Sequence, residues 1–151
     1  ALSDDIEDIE RKLALWKKED AAAKRLMAIP GVGLLTATAA VATIGDATVF
    51  KNGRQFAAFL GLVPRQAGTG GKVRLFGISK RGDTYLRKLL IHGARSVITH
   101  QKARAPWLEQ LLARRPFNAA VVALANKMAR TIWALLAHDR TYQNGVTAQA
   151  A

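Results

Sequence analysis

Ile29-Pro30-Gly31-Val32-Gly33, running on into Leu34-Leu35-Thr36-Ala37, is the stretch on which the fold turns. Pro30 cannot continue a helix, and the two glycines admit backbone angles closed to other residues, so the chain reverses here in a tight turn. Before the turn, Ile6, Ile9, Leu13, Trp16, Ala23 and Met27 recur at helical spacing with charge on the other faces, which predicts a helix over residues 2–27. After it, residues 34–44 read as a second helix stopped at Gly45. Two helices joined by an apolar-Pro-Gly-apolar-Gly turn form a helix-hairpin-helix pattern. Its outward amides at a helix N-terminus suit a phosphate, with no base being read. Gly31, Val32 and Gly33 are therefore candidate DNA-binding residues. The competing reading is an ordinary helical corner with structural glycines.

The remaining chain is read the same way. A short helix follows Asn52 over about 54–60 and is broken by Gly61-Leu62-Val63-Pro64. Between Arg65 and Gly82 lie five glycines and no helical period. This is the one place for a short β-hairpin-like loop, with Val73, Leu75 and Ile78 on its second arm. Helices are predicted over about 84–102, from Pro106 to about 113, and over about 118–137, with a frayed tail at 139–151. The fold class is mostly α: an N-terminal helix precedes a helical domain over residues 26–138 built on the hairpin. Trp16, Trp107 and Trp133 fall at helical spacing and are expected in the core. That disfavours a ribosome-associated protein that stacks RNA bases on surface aromatics.

Composition narrows the function. With 151 residues, half of them apolar, there is room for one domain with a real core. No cysteine is present, so disulfides and thiolate zinc sites are excluded. Apolar runs fall short of a bilayer span and no signal peptide is visible, so no membrane partner is expected and the location is read as cytoplasmic. The net charge is +12, and it is segregated. Seven of the eleven acids lie in the first twenty residues, whereas Asp83 is the single acid between Ala47 and Arg104, against twelve Lys and Arg. Such a field holds a polyanion, and DNA is the expected partner.

Three further segments carry candidate chemistry. Gly77-Ile78-Ser79-Lys80-Arg81-Gly82 is a basic turn at a helix start, which makes Ser79, Lys80 and Arg81 candidate phosphate contacts. Along the following helix Arg81, Lys88, Arg95 and Lys102 are spaced by sevens and predict a cationic stripe, with Arg87 beside it and Leu86, Leu89, Leu90, Val97 and Ile98 facing the core. In the loop from Arg65 to Arg74, the cations Arg65, Lys72 and Arg74 surround Thr69, the one hydroxyl between them. Cations around a hydroxyl suit attack on a phosphodiester, although a hairpin tip without chemistry has the same composition. His92, His100 and His138 show no metal-ligand spacing. The acids Asp46, Asp83, Glu109 and Asp139 do not suggest a two-metal centre, so no metal site and no cofactor are expected in this chain.

From about Leu26 to Ala137 the chain resembles the C-terminal domain of the one-ten and eleven-eleven groups of bacterial insertion-sequence transposases, which are guided by a bridge RNA. The resemblance rests on Ile29-Pro30-Gly31-Val32-Gly33, Ile44-Gly45-Asp46, Phe50-Lys51-Asn52-Gly53-Arg54-Gln55-Phe56-Ala57-Ala58 and Gly61-Leu62-Val63-Pro64-Arg65-Gln66. It continues through Gly77-Ile78-Ser79-Lys80-Arg81-Gly82-Asp83, Tyr85-Leu86-Arg87 and Ala123-Leu124-Ala125-Asn126-Lys127-Met128-Ala129-Arg130. It implies that residues 1–25 end a coiled-coil helix, with a guide RNA as a second partner, a homo-oligomer formed through that N-terminal helix, and a separate RuvC-like domain whose four acids hold Mg²⁺. The chain starts without methionine inside a charged helical stretch, so a fragment of that longer protein is expected. The resemblance also implies a nucleophilic serine in the loop after Gly-Leu-Val-Pro-Arg. This sequence has none there: Ala67, Gly68 or Thr69 occupies the position, depending on the gap, with Ala67-Gly68 resembling a Ser-Gly pair that has lost its hydroxyl. A non-catalytic helix-hairpin-helix module that binds DNA is the alternative.

Overall fold

In a computed structural model that describes residues 2–63 and 80–143, the side chains of 80–83 excepted, the chain is helical throughout, with no strand among the described residues. The helices are α1 (Leu2–Leu26), α2 (Leu34–Ile44), α3 (Gly53–Phe59), α4 (Lys80–His100), α5 (Pro106–Arg114) and α6 (Phe117–Ala137). The expected hairpin-like loop lies outside the described residues.

The core forms around α6, which packs against α1, α3, α4 and α5. Ten of its twenty-one residues are buried, among them Val121, Met128, Ile132 and Leu135. Among the described residues it is the one helix long and apolar enough to cross a membrane. Its place in the core accounts for that apolarity: Leu86, Leu90 and Ile98 of α4, and Phe56 and Leu60 at α3, are nearly or wholly excluded from solvent within the same cluster. Burying side chains of this size contributes about 1.5–3 kcal/mol each relative to leaving them exposed. Trp133 Nε1 donates to the Ala47 carbonyl at 2.9 Å, which ties the segment after α2 to the central helix.

Local capping sets the boundaries that periodicity left loose. Asn52 accepts the Gln55 amide at 2.8 Å while Gln55 accepts the Lys51 amide at 2.7 Å, a reciprocal cap that starts α3. A 3₁₀ turn at Ala47–Val49, too short to show a period, is held by Asp46, which accepts the Thr48 amide at 3.0 Å and its hydroxyl at 2.6 Å. These two bonds hold the Asp46 carboxyl below its ordinary pKa, with the hydroxyl contributing most.

Two expectations change. Trp16 is not a core residue: it is 68% exposed, and Ile6, Ile9 and Leu13 on the same helix are also open to solvent. Of α1 only Ala23 and Leu26 are buried. Helical spacing identifies a face that needs covering, but not whether the cover belongs to the same chain. Lys102 also leaves the expected stripe, because α4 ends at His100.

Candidate nucleic-acid interface

The turn between α1 and α2 is built by successive backbone bonds. The Ile29 amide donates to Leu26, and the Val32 amide donates to Ile29, both at 3.0 Å. Val32 is buried and its amide is committed to the turn, so neither its side chain nor its N–H faces a ligand. Gly31 has φ +90°, and a Cβ there would come within 3.0 Å of the Gly93 carbonyl and the Met128 methyl, and closer still to Val97. It is the point where the hairpin lies directly on α4. Gly33 differs. It is extended (φ −94°, ψ −172°), nothing lies within 4 Å of a Cβ placed there, and it begins α2 without a side-chain cap. The first intrahelical bond is from Ala37 to Gly33, at 2.9 Å. The first-turn amides of Leu34, Leu35 and Thr36 thus have no partner inside the helix, the ordinary condition of a helix start and the one that attracts anions. Leu34 and Leu35 are both well exposed at that end.

The basic residues of α4 take a different direction. Lys88 and Arg95 are exposed, with no ion pair among the described residues. Leu86, Leu90 and Ile98 are buried and Leu89 and Val97 half-buried, as their spacing predicts. Counting about 100° per residue from Gly93, Lys88 and Arg95 lie about 200° round the helix. The hairpin and the cationic stripe therefore sit on opposite sides of α4 and do not form one patch. Arg87 stands apart from both: its guanidinium lies against Gly61, where a Cβ would come within 3.0 Å of Nη1. Gly61 and Leu62 lead into the Gly-rich loop, and Asn126 of α6 donates to the Leu62 carbonyl at 2.8 Å. Arg87 and Asn126 hold the near end of that loop.

Arg65, Ala67, Thr69, Lys72, Arg74 and Ser79 lie outside the described residues, and so do the side chains of Lys80 and Arg81. His92, His100 and His138 are exposed. Among the described residues no three His, Asp or Glu side chains come together. Sequence reasoning missed Gly93 and Asn126. A glycine in the middle of a long helix marks close backbone approach, and an Asn in an apolar helix marks a specific partner; both signals were readable.

Comparison with known proteins places this architecture. The model of the transposase IS116/IS110/IS902 family matches residues 23–108. The chain is 50% identical over 155 residues to a probable family 20 transposase of Pseudomonas aeruginosa, covering 95% of this chain and 46% of that protein. It is 49% identical over 144 residues to the transposase for insertion sequence element IS1111A of Coxiella burnetii, covering 93% and 40% respectively. With the transposase for IS1328 of Yersinia enterocolitica it shares 45% over 136 residues, covering 87% and 41%. The chain thus spans less than half the length of these relatives.

Proposed function

The chain belongs to the transposase IS116/IS110/IS902 family, and on that premise we propose that it is the DNA-binding part of a transposase that contributes the serine-type half of a composite strand-exchange site. The observation that carries the DNA-binding reading is the α2 start. An uncapped set of amides follows a turn that Gly31 seats against Gly93, in a chain of net charge +12. Lys88 and Arg95 supply a second, separate set of backbone contacts. A guide RNA, pairing of copies through α1, and an N-terminal domain that holds Mg²⁺ belong to the same proposal. So does a location in the bacterial cytoplasm on the nucleoid. The similarity to transposases of Pseudomonas aeruginosa and Coxiella burnetii supports the DNA partner.

In the proposed reaction a serine oxygen would form a bond to phosphorus as a deoxyribose oxygen leaves and takes up the proton, with Arg65, Lys72 and Arg74 around the developing charge. This sequence has Ala67-Gly68-Thr69 where that serine belongs. That favours, as a second reading, a module that binds DNA without cutting it. The test joins the chain to its N-terminal domain with Mg²⁺ and guide RNA, and looks for a protein–DNA band that survives boiling in detergent. As written the chain is expected to give no band, and Ala67→Ser, or serine at 68 or 69, is expected to restore it. A band from the unaltered chain that Thr69→Ala abolishes would make threonine the nucleophile. A band that depends on Ser79 would move the active loop elsewhere.

A further inference from the structure

Between Pro30 of the hairpin, the end of α4, the start of α5 and the middle of α6 lies a cavity of about 360 Å³ that no role above uses. Its size is at the lower end of the range for small-ligand sites, roughly 300–1,000 Å³. Pro30, Pro106 and Trp107 contribute ring side chains, and Leu124 and Met128 complete an apolar wall. One cation interrupts it. Lys127 places its ammonium 4.3 Å from the centre of the Trp107 ring, and its backbone carbonyl accepts the Thr131 hydroxyl at 2.9 Å.

No acid among the described residues pairs with Lys127. Burial, and then repulsion from Arg130, push its pKa below the ordinary lysine value, as befits a cation without a counter-charge. Gln101 and Tyr142 also line the cavity, with an amide and a hydroxyl able to meet the edge of a planar ring. An apolar, ring-lined space with one uncompensated cation is complementary to a planar ring that carries an anion.

We propose that this cavity takes up a single unpaired nucleotide of bound DNA, its base against the apolar wall and its phosphate on Lys127. The proposal rests on the DNA-binding reading, and it adds recognition of a base that has left the duplex to the phosphate contacts of the hairpin next to it. Transposition exposes such nucleotides wherever a strand is cut or displaced.

Fluorescence anisotropy would compare the full chain on a blunt hairpin duplex with the same duplex carrying a one-nucleotide overhang. Base stacking and one charge contact predict about tenfold tighter binding to the overhang. Lys127→Gln, and Ala105→Phe, which narrows the cavity from an exposed position, are each expected to erase that preference while leaving blunt-duplex affinity and the melting temperature unchanged. Equal binding of the two duplexes by the unaltered chain would overturn the proposal, as would a preference that survives both variants. A second probe separates this from the DNA-binding reading. 2-Aminopurine deoxyribonucleoside monophosphate should bind saturably with a change in fluorescence, and Lys127→Gln should lose that binding. If the chain binds the mononucleotide but neither duplex, the cavity stands and the DNA-binding reading falls. If it binds the duplexes but not the mononucleotide, and shows no overhang preference, the cavity proposal falls alone.

Discussion

Gly31 and Gly33 stand two residues apart in one turn and answer to different constraints. Gly31 combines a positive φ with backbone contact against Gly93, so valine there meets both backbone strain and a clash that α4 cannot relieve. Gly31→Val is expected to cost roughly 3 kcal/mol, lowering the melting temperature by about 6–12 °C. Gly33 is extended with open space beside it, so Gly33→Val should fold with an unchanged melting curve. Its side chain would nevertheless stand over the amides that begin α2. If those amides hold a phosphate, Gly33→Val weakens DNA binding without touching stability. Unchanged affinity in a folded Gly33→Val variant would mean that the turn is only a corner of the fold.

At the scale of elements, α4 is amphipathic in two senses, with a core face and a cationic face about 200° away from the hairpin contact. Each of Lys88 and Arg95 that neutralises a phosphate releases counterions. The Lys88→Ala, Arg95→Ala pair should therefore flatten the slope of log affinity against log salt by about 2, with little change in stability. An unchanged slope would leave these cations as a solvated face. Helix α1 presents the complementary problem, an apolar stripe of Ile6, Ile9, Leu13 and Trp16 left open to solvent. Under the proposal that copies associate through it, Ile9→Glu with Leu13→Glu should lower the mass measured by sedimentation and leave the unfolding of the α2–α6 body intact. An unaltered mass would assign the stripe to some other cover.

For the whole molecule, the dominant quantity is charge and its segregation. Acids crowd the first twenty residues while the segment from Ala47 to Arg104 is almost purely cationic. The proposed contacts are to phosphates rather than base edges, so duplex binding is expected to discriminate weakly between sequences. If about five phosphates are neutralised, log affinity should fall against log salt with a slope of roughly −4 to −5. A flat dependence in an anisotropy titration would remove the electrostatic account altogether.

The order of six helices, the turn at Pro30–Gly33, the stop after α3 and the charge asymmetry were legible in the residues themselves. Each is local or compositional: periodicity over a few turns, a proline, a glycine pair, a tally of acids. The family motifs were legible for the same reason. What only tertiary structure decided is which face meets which partner. The spacing of Trp16 is that of a core residue, and it is exposed because α1 is covered only at its C-terminal end, around Ala23 and Leu26. Gly31, read from sequence as a candidate phosphate contact, also seats the turn on Gly93, sixty-two positions later in the chain. The sequence left open where the cationic stripe lies relative to the hairpin, and the rotation of α4 about its axis set them on opposite sides. Lys127 entered the sequence reading only as part of a family motif. Its place over Trp107, in an apolar cavity, follows from the packing of α5 on α6, a long-range choice made by burial and encoded in no single segment.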